Sequence, residues 1–295
     1  MEKLKSFPKF SVDCVIFSPP YWQLRDYGWK QQWGLEKTFG EYLEKLWSLM
    51  DELKRVLKPK GTVWVNLGDT YGTQSGCCKG RKYESESTLP RKENGSVLLK
   101  GNAPHKSLLL LPHRFAIGCT ERGWLVRNDI IWAKPNGMPE SVRDRFSKKH
   151  EYIFLLAKQK NYFLDLNKIR EPHKEISIER TKRSWNGHRE QRSALVNMNI
   201  KKMCHPNGKN PGDVSDFWSI TTKSGKDKHY AKYNADLITK PILAGCPKGG
   251  IVLDPFCGVG TTGTRAIELG RNFIGIEGKK AYCRMAEKNI AEVKK

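Results

Sequence analysis

Two short stretches of the chain place polar, rigid and glycine residues in a pattern suited to group-transfer chemistry. The first is Ser18-Pro19-Pro20-Tyr21, which follows an apolar, β-branched run over 12–17. Two adjacent prolines allow neither a helix nor a strand ladder, so a rigid loop must begin where the strand ends. The second is Asp254-Pro255-Phe256-Cys257-Gly258-Val259-Gly260-Thr261-Thr262, between a short apolar run and a helical pattern. Glycines there let the backbone pass close to a ligand, and the helix that follows offers free N–H groups to a carboxylate or phosphate. Glu277 stands at the end of the next apolar run, 272–276. An acid in that place can accept both hydroxyls of a ribose. The plainer alternatives are a structural Pro-Pro turn and an ordinary glycine turn beside a surface acid. In an open α/β sheet, ligands bind beyond the carboxyl ends of the strands, so both stretches are expected on one rim.

The elements that must hold these stretches can be read from periodicity. Residues 12–17 form a buried strand. Thr38 with Glu41 has the spacing of a capping box, and apolar residues at 42, 43, 46, 47, 50, 53, 56 and 57 follow at helical spacing. Pro59 and Gly61 end that helix, and 62–67 is the next strand. Strand, helix, strand in this order predicts a parallel sheet. Residues 72–106, poor in apolar side chains, read as a long loop that is mobile without a ligand. Strands are expected at 125–132 and 152–157. Over 161–232 the texture turns polar and basic, with 15 Lys or Arg against 8 Asp or Glu. Regular α/β texture then returns: strand 251–253, helix 261–269, strand 272–276 and helix 279–293.

The 295 residues suffice for one large α/β domain or a domain with an insert. The formal net charge of +22 points to a polyanionic partner, because Lys and Arg displace counterions from phosphates. No apolar run approaches the ~18 residues of a membrane span, and 1–9 lacks a signal-peptide core. The eight cysteines show no metal-site spacing, so no metal is expected and the thiols read as reduced in a cytoplasmic protein.

Taken together, Ser18 to Tyr21 and Phe256-x-Gly258-x-Gly260 resemble the motif pair of the S-adenosylmethionine-dependent DNA methyltransferases that act on exocyclic amines, cytosine N4 or adenine N6. The catalytic motif comes first and the glycine motif last, which is similar to the circularly permuted beta class. Residues 128–136, 139–146, 150–152, 216–220 and 229–231 extend the resemblance. The chain departs from the pattern at Tyr233-Asn234 and at Gly278-Lys279-Lys280, and it carries no acid well ahead of the first strand.

The resemblance implies a Rossmann-like methyltransferase fold, circularly permuted. It has a mostly parallel sheet, helices on both faces and a target-recognition insert. Residues 1–160 would be the catalytic part, 161–228 the target-recognition region and 229–295 the cofactor-binding part. Ser18, Pro19, Pro20 and Tyr21 would be catalytic: Ser18 Oγ and the Pro19 carbonyl accept N–H bonds from the amine, and Tyr21 stacks on the ring. Trp22 is a second stacking candidate or a core residue. S-adenosylmethionine would be held by Asp254, Pro255, Phe256, Gly258, Gly260, Thr261, Thr262 and Glu277, with His229 on the pocket wall. Asn66 and Asp69 either line the pocket or cap a loop. Arg143, Arg145, Lys182, Arg183 and Arg189 would contact double-stranded DNA, from which the base must be flipped. Serine rather than aspartate at position 18 favours cytosine N4, with adenine N6 the alternative. A cognate restriction endonuclease and a place at the nucleoid go with a restriction-modification role. RNA or protein substrates, or an inactive DNA-binding module, are the competing classes.

Overall fold

The computed structural model describes residues 2–28, 31–72, 106–182, 204–209, 216–222 and 234–293. After a first short helix, α1 (Glu2–Lys5), the first strand is β1 (Val12–Phe17), buried except for Asp13. Helix α2 (Phe39–Val56) starts where the capping pattern predicts it. Thr38 Oγ1 accepts from Glu41 N at 3.1 Å, while Glu41 Oε2 accepts from Lys37 N at 3.0 Å, one residue upstream of the usual box. Its buried face, Tyr42 to Val56, lies on β1 and on β2 (Leu57–Leu67).

β2 begins five residues earlier than periodicity indicates. Leu57 pairs with Val12 and Thr62 with Cys14, so residues 58–61 bulge against the single residue Asp13. A bulge tolerates Pro59, which cannot donate to a ladder. Gly61 is required there, since a Cβ would stand 2.8 Å from the Asp13 carbonyl oxygen. Lys58 Nζ bonds Asp13 at 2.8 Å and ties the bulge down.

The remaining elements are α3 (Leu111–Glu121), β3 (Leu125–Ala133), β4 (His150–Ala157), a 3-10 turn (Leu166–Lys168), α4 (Glu175–Lys182), β5 (Phe217–Ser219), α5 (Ala235–Gly245), β6 (Ile251–Asp254), α6 (Thr261–Glu268), β7 (Asn272–Gly275) and α7 (Lys280–Val293). They form a seven-stranded sheet in the order β5-β3-β4-β2-β1-β6-β7. Every strand runs the same way except β4, which is antiparallel to both β2 and β3. One face is covered by α1, α2 and α3 and the other by α5 and α6, each over its own apolar cluster. The sheet is mostly parallel, as the resemblance implies; the antiparallel β4 is not expected from the sequence. The first and last parts of the chain meet along β1 and β6, where Cys14 pairs with Val252 and Val15 with Leu253.

Within the range 161–228, where the recognition insert is expected, two described stretches pack against the sheet domain. β5 lies inside that range yet pairs with β3, and Trp218 is buried between the sheet and Lys240. At the other end, Phe163 N donates to Lys60 O at 2.7 Å and Asp165 N to Ala244 O at 2.9 Å. Three residues carry too little periodicity to read as a strand, so β5 escapes the sequence pattern. The loop expected at 72–106 opens and closes on a bridge between Tyr71 and Leu108; residues 73–105 lie outside the described residues. No helix among the described residues is long and apolar enough to cross a membrane.

Candidate active site

The rim formed by the carboxyl ends of β1, β2, β3, β6 and β7 holds a cavity of about 660 Å³. Since β4 runs backwards, its first residues reach the same rim. Ser18, Pro19, Pro20 and Tyr21 come from β1, Asn66 from β2, Lys134 from β3 and Glu151 from β4, and all line one side. Pro255, Phe256, Gly258 and Thr261 after β6, with Glu277 and Tyr282 around β7 and α7, line the other. Two stretches far apart in sequence thus share one cavity because β1 and β6 are neighbours.

The first side is a connected polar network. Tyr21 Oη donates to Glu151 Oε2 at 2.6 Å, and Ser18 Oγ lies 3.4 Å from Tyr21 Oη. Asn66 Nδ2 stands 2.9 Å from both Tyr21 Oη and Glu151 Oε2, and 3.4 Å from Ser18 Oγ. Lys134 forms an ion pair with Glu151 and packs its ammonium over the Trp132 ring at 4.4 Å. Burial, then the charge of Glu151, holds the Tyr21 phenol well above its usual range. Tyr21 remains a hydrogen-bond donor at any ordinary pH. The loop is fixed from below: Tyr42 Oη donates to Pro20 O at 2.9 Å. Gly68 makes room for the tyrosine ring, because a Cβ there would stand 2.6 Å from Tyr21 Cε2.

On the second side, five of the expected cofactor residues, Pro255, Phe256, Gly258, Thr261 and Glu277, form the wall, and Asp254, Gly260 and Thr262 stand behind it. Phe256 packs edge-on against Trp33, ring centroids 5.2 Å apart, and beside Phe17 at 5.8 Å. Glu277 is pinned by backbone donors: Gly258 N at 2.9 Å and Lys279 N at 2.8 Å. Asp254 and Thr262 do not line the cavity. The Asp254 carboxylate is buried, accepts Phe256 N at 2.9 Å and the Thr262 hydroxyl, and so holds the loop from behind. Gly260 (φ 84°) is demanded by packing, since a Cβ would stand 2.9 Å from Ala286 Cβ on α7. His229 lies outside the described residues.

Other expectations separate in the same way. Trp22 is core: it is buried, and its Nε1 donates to Glu36 O at 3.0 Å. Asn66 lines the cavity, whereas Asp69 caps, its Oδ1 accepting Thr70 N at 2.9 Å and Leu111 N at 3.0 Å. Arg143 is exposed on the loop between β3 and β4. Arg145 is committed to Glu140 at 2.5 Å and lies 3.9 Å over the Tyr71 ring, so it braces that loop. Lys182 ends α4, and Arg183 and Arg189 lie outside the described residues.

Sequence reasoning missed Glu151, Lys134, Tyr42 and Trp33 as site residues. Glu151 and Lys134 stood within matched stretches, but their meeting depends on β4 being antiparallel, which periodicity does not reveal. Among the described residues no three His, Cys, Asp or Glu converge as metal ligands.

The family model N6_N4_Mtase, described as DNA methylase, matches residues 12–288. The chain is 35% identical to the type II methyltransferase M.Cfr9I of Citrobacter freundii over 289 residues, covering 96% of this chain and 82% of that protein. It is 36% identical to the type II methyltransferase M.SmaI of Serratia marcescens over 278 residues, covering 94% and 84%. Among solved structures, the fold resembles the PvuII DNA methyltransferase (cytosine-N4-specific), with TM-score 0.60, 19% identity, and 98% and 86% coverage. It also resembles a putative DNA modification methylase of Thermus thermophilus complexed with S-adenosyl-L-methionine, with TM-score 0.58, 22% identity, and 99% and 92% coverage.

Proposed function

The chain belongs to the DNA methylase family of N6 and N4 methyltransferases, and on that premise we propose that it transfers a methyl group from S-adenosylmethionine to cytosine N4 in double-stranded DNA. The observation that carries this reading is that Ser18 and Tyr21 share one cavity with Phe256, Gly258 and Glu277.

The residues present fit the cofactor. The cavity's volume lies in the range of small-molecule sites, which is roughly 300–1,000 Å³. Phe256 and Tyr282 give it aromatic walls. Gly258 (φ 51°) puts bare backbone on the wall, and Glu277 carries a carboxylate fixed by two amides, an acceptor suited to ribose hydroxyls. Bound there, S-adenosylmethionine supplies an electrophilic methyl group on a sulfonium.

The chain's own residues act on the acceptor. An exocyclic amine is a poor nucleophile because its lone pair is delocalised into the ring. Ser18 Oγ and the Pro19 carbonyl accept the two N–H bonds and so localise that pair and set its direction. The Ser18 hydroxyl lies 3.4 Å from Tyr21 Oη as a donor, and Tyr21 in turn donates to Glu151. Each donor in such a chain polarises the next, so a carboxylate at the far end makes Ser18 a better acceptor. Lys134 and Asn66 hold Glu151 in place. The base reaches Ser18 only after leaving the duplex stack, and the net charge of +22 suits a phosphate-lined partner.

Cytosine N4 is preferred to adenine N6 because the residue at the head of the motif is Ser18. The similarity to M.Cfr9I and M.SmaI supports a role in type II modification, with a restriction endonuclease as the expected companion activity. Incubation of unmethylated DNA with methyl-labelled S-adenosylmethionine, digestion, and mass identification of the labelled nucleoside tests this. Label in N4-methylcytosine is expected. Label in N6-methyladenine would overturn the choice of base but keep the reaction.

A further inference from the structure

The loop between β3 and β4 leaves the cavity at Lys134 and returns to it at Glu151. It presents two large apolar side chains to water. Phe146 is 96% exposed and Met138, itself at the cavity wall, 85%, whereas the next such residue among those described, Ile117, is 58% exposed. Leaving a whole phenyl ring in water has no benefit to the isolated protein, and such residues mark contact sites.

The loop is braced rather than slack. Lys134 N donates to Lys149 O at 2.8 Å and closes its base, and Asn136 and Thr222 exchange two bonds of 2.8 Å. Arg145, held by Glu140 and Tyr71, donates to the Phe146 carbonyl at 3.0 Å. The Phe146 backbone is therefore pinned while its ring projects into solvent. Glu140 and Asp144, the only acids between Lys134 and Lys149, are each paired, with Arg145 and Lys106. Arg143 and Lys149, on the same loop, are exposed. A projecting aromatic ring on a loop that carries exposed cations and borders the cavity at Lys134, Met138 and Glu151 fits one partner, a stacked polyanion.

We propose that Phe146 is a wedge: its ring enters the DNA stack at the target step, fills the place of the flipped base and holds the duplex open, while Met138 of the same loop lines the cavity. This rests on the DNA reading given above. Apolar wedges between base steps are an established means of keeping a duplex unstacked.

The test uses the full-length enzyme. The methylated position is first mapped by sequencing the wild-type product. Two duplexes carrying that site are then compared: one with the target base paired, one with it opposite an abasic position or a mismatch. Phe146→Ala is expected to lower kcat/KM on the paired duplex by about tenfold or more. On the unpaired duplex the loss should be under about threefold, because the opening is already made. Phe146→Trp should restore most of the rate, and S-adenosylmethionine affinity should not change in either variant. An equal loss on both duplexes, or no loss on either, would overturn the wedge. A wild-type enzyme that labels no DNA would instead overturn the functional reading, and the wedge with it.

Discussion

At the scale of single residues, the site is a set of constraints on where Tyr21 and Ser18 may sit. Gly68 is one of them. Replacing it with alanine would put a methyl group 2.6 Å from Tyr21 Cε2, and the ring would have to move. A displacement of about 1 Å at a reacting centre can cost roughly 100-fold in rate. Gly68→Ala is therefore expected to lower the rate of methyl transfer by about that factor while leaving S-adenosylmethionine binding, measured by calorimetry, unchanged. Ser18, Tyr21, Phe256, Gly258 and Glu277 are expected from motifs that follow apolar runs, and all five line the one cavity. Asp254, Gly260 and Thr262, which the sequence also marked, shape the loop behind the cavity wall. Glu151 was hidden. A carboxylate at the start of a strand signals a site only when that strand runs against its neighbours, and β4 does so here.

At the scale of elements, contacts between helices are as specific as those at the rim. Gly118 on α3 faces Trp47 on α2, and a Cβ would stand 2.2 Å from Trp47 Cε2. Trp47 cannot swing away freely, because its Nε1 donates to Phe115 O at 3.1 Å. Alanine is a better helix former than glycine by about 1 kcal/mol, yet overpacking typically costs about 1–3 kcal/mol. Gly118→Ala is expected to destabilise the fold by roughly 1–2 kcal/mol in urea titration. A gain in stability would show that propensity outweighs packing at this contact. The periodic elements, β1, α2, β6, α6 and α7, were placed by pattern to within a residue or two. β2 began early because a bulge absorbs residues 58–61, and Pro59 and Gly61 resemble a helix stop as much as a bulge. β5, three residues long, is too short to read at all.

At the scale of the whole molecule, the sheet brings the two ends of the chain to one cavity, and its buried tyrosines tie that arrangement to pH. The phenols of Tyr21 and Tyr42 are both pushed up, first by burial and then by Glu151 and Glu36 respectively. An unfolded tyrosine ionises near pH ~10. Below that pH both states keep the proton and these groups make no pH-dependent difference. Above it the unfolded chain gains phenolates that the folded chain resists, so stability falls as pH rises. Phenolate absorbance from these two residues should appear together with the loss of helical circular dichroism, above about pH 10. Ionisation well before unfolding would show that the rings are open to water.

The central claim is that the network of Ser18, Tyr21 and Glu151 acts on an amine while the opposite wall of the same cavity holds S-adenosylmethionine. The most direct measurement is methyl transfer to unmethylated DNA by wild type, Ser18→Ala and Glu151→Gln, with cofactor affinity determined for each. Wild type should label DNA. Both variants should bind S-adenosylmethionine as wild type does yet transfer at least about tenfold more slowly, the scale of a lost hydrogen bond to a charged group. Unchanged transfer in both variants, or cofactor binding by a wild type that labels no DNA, would contradict it.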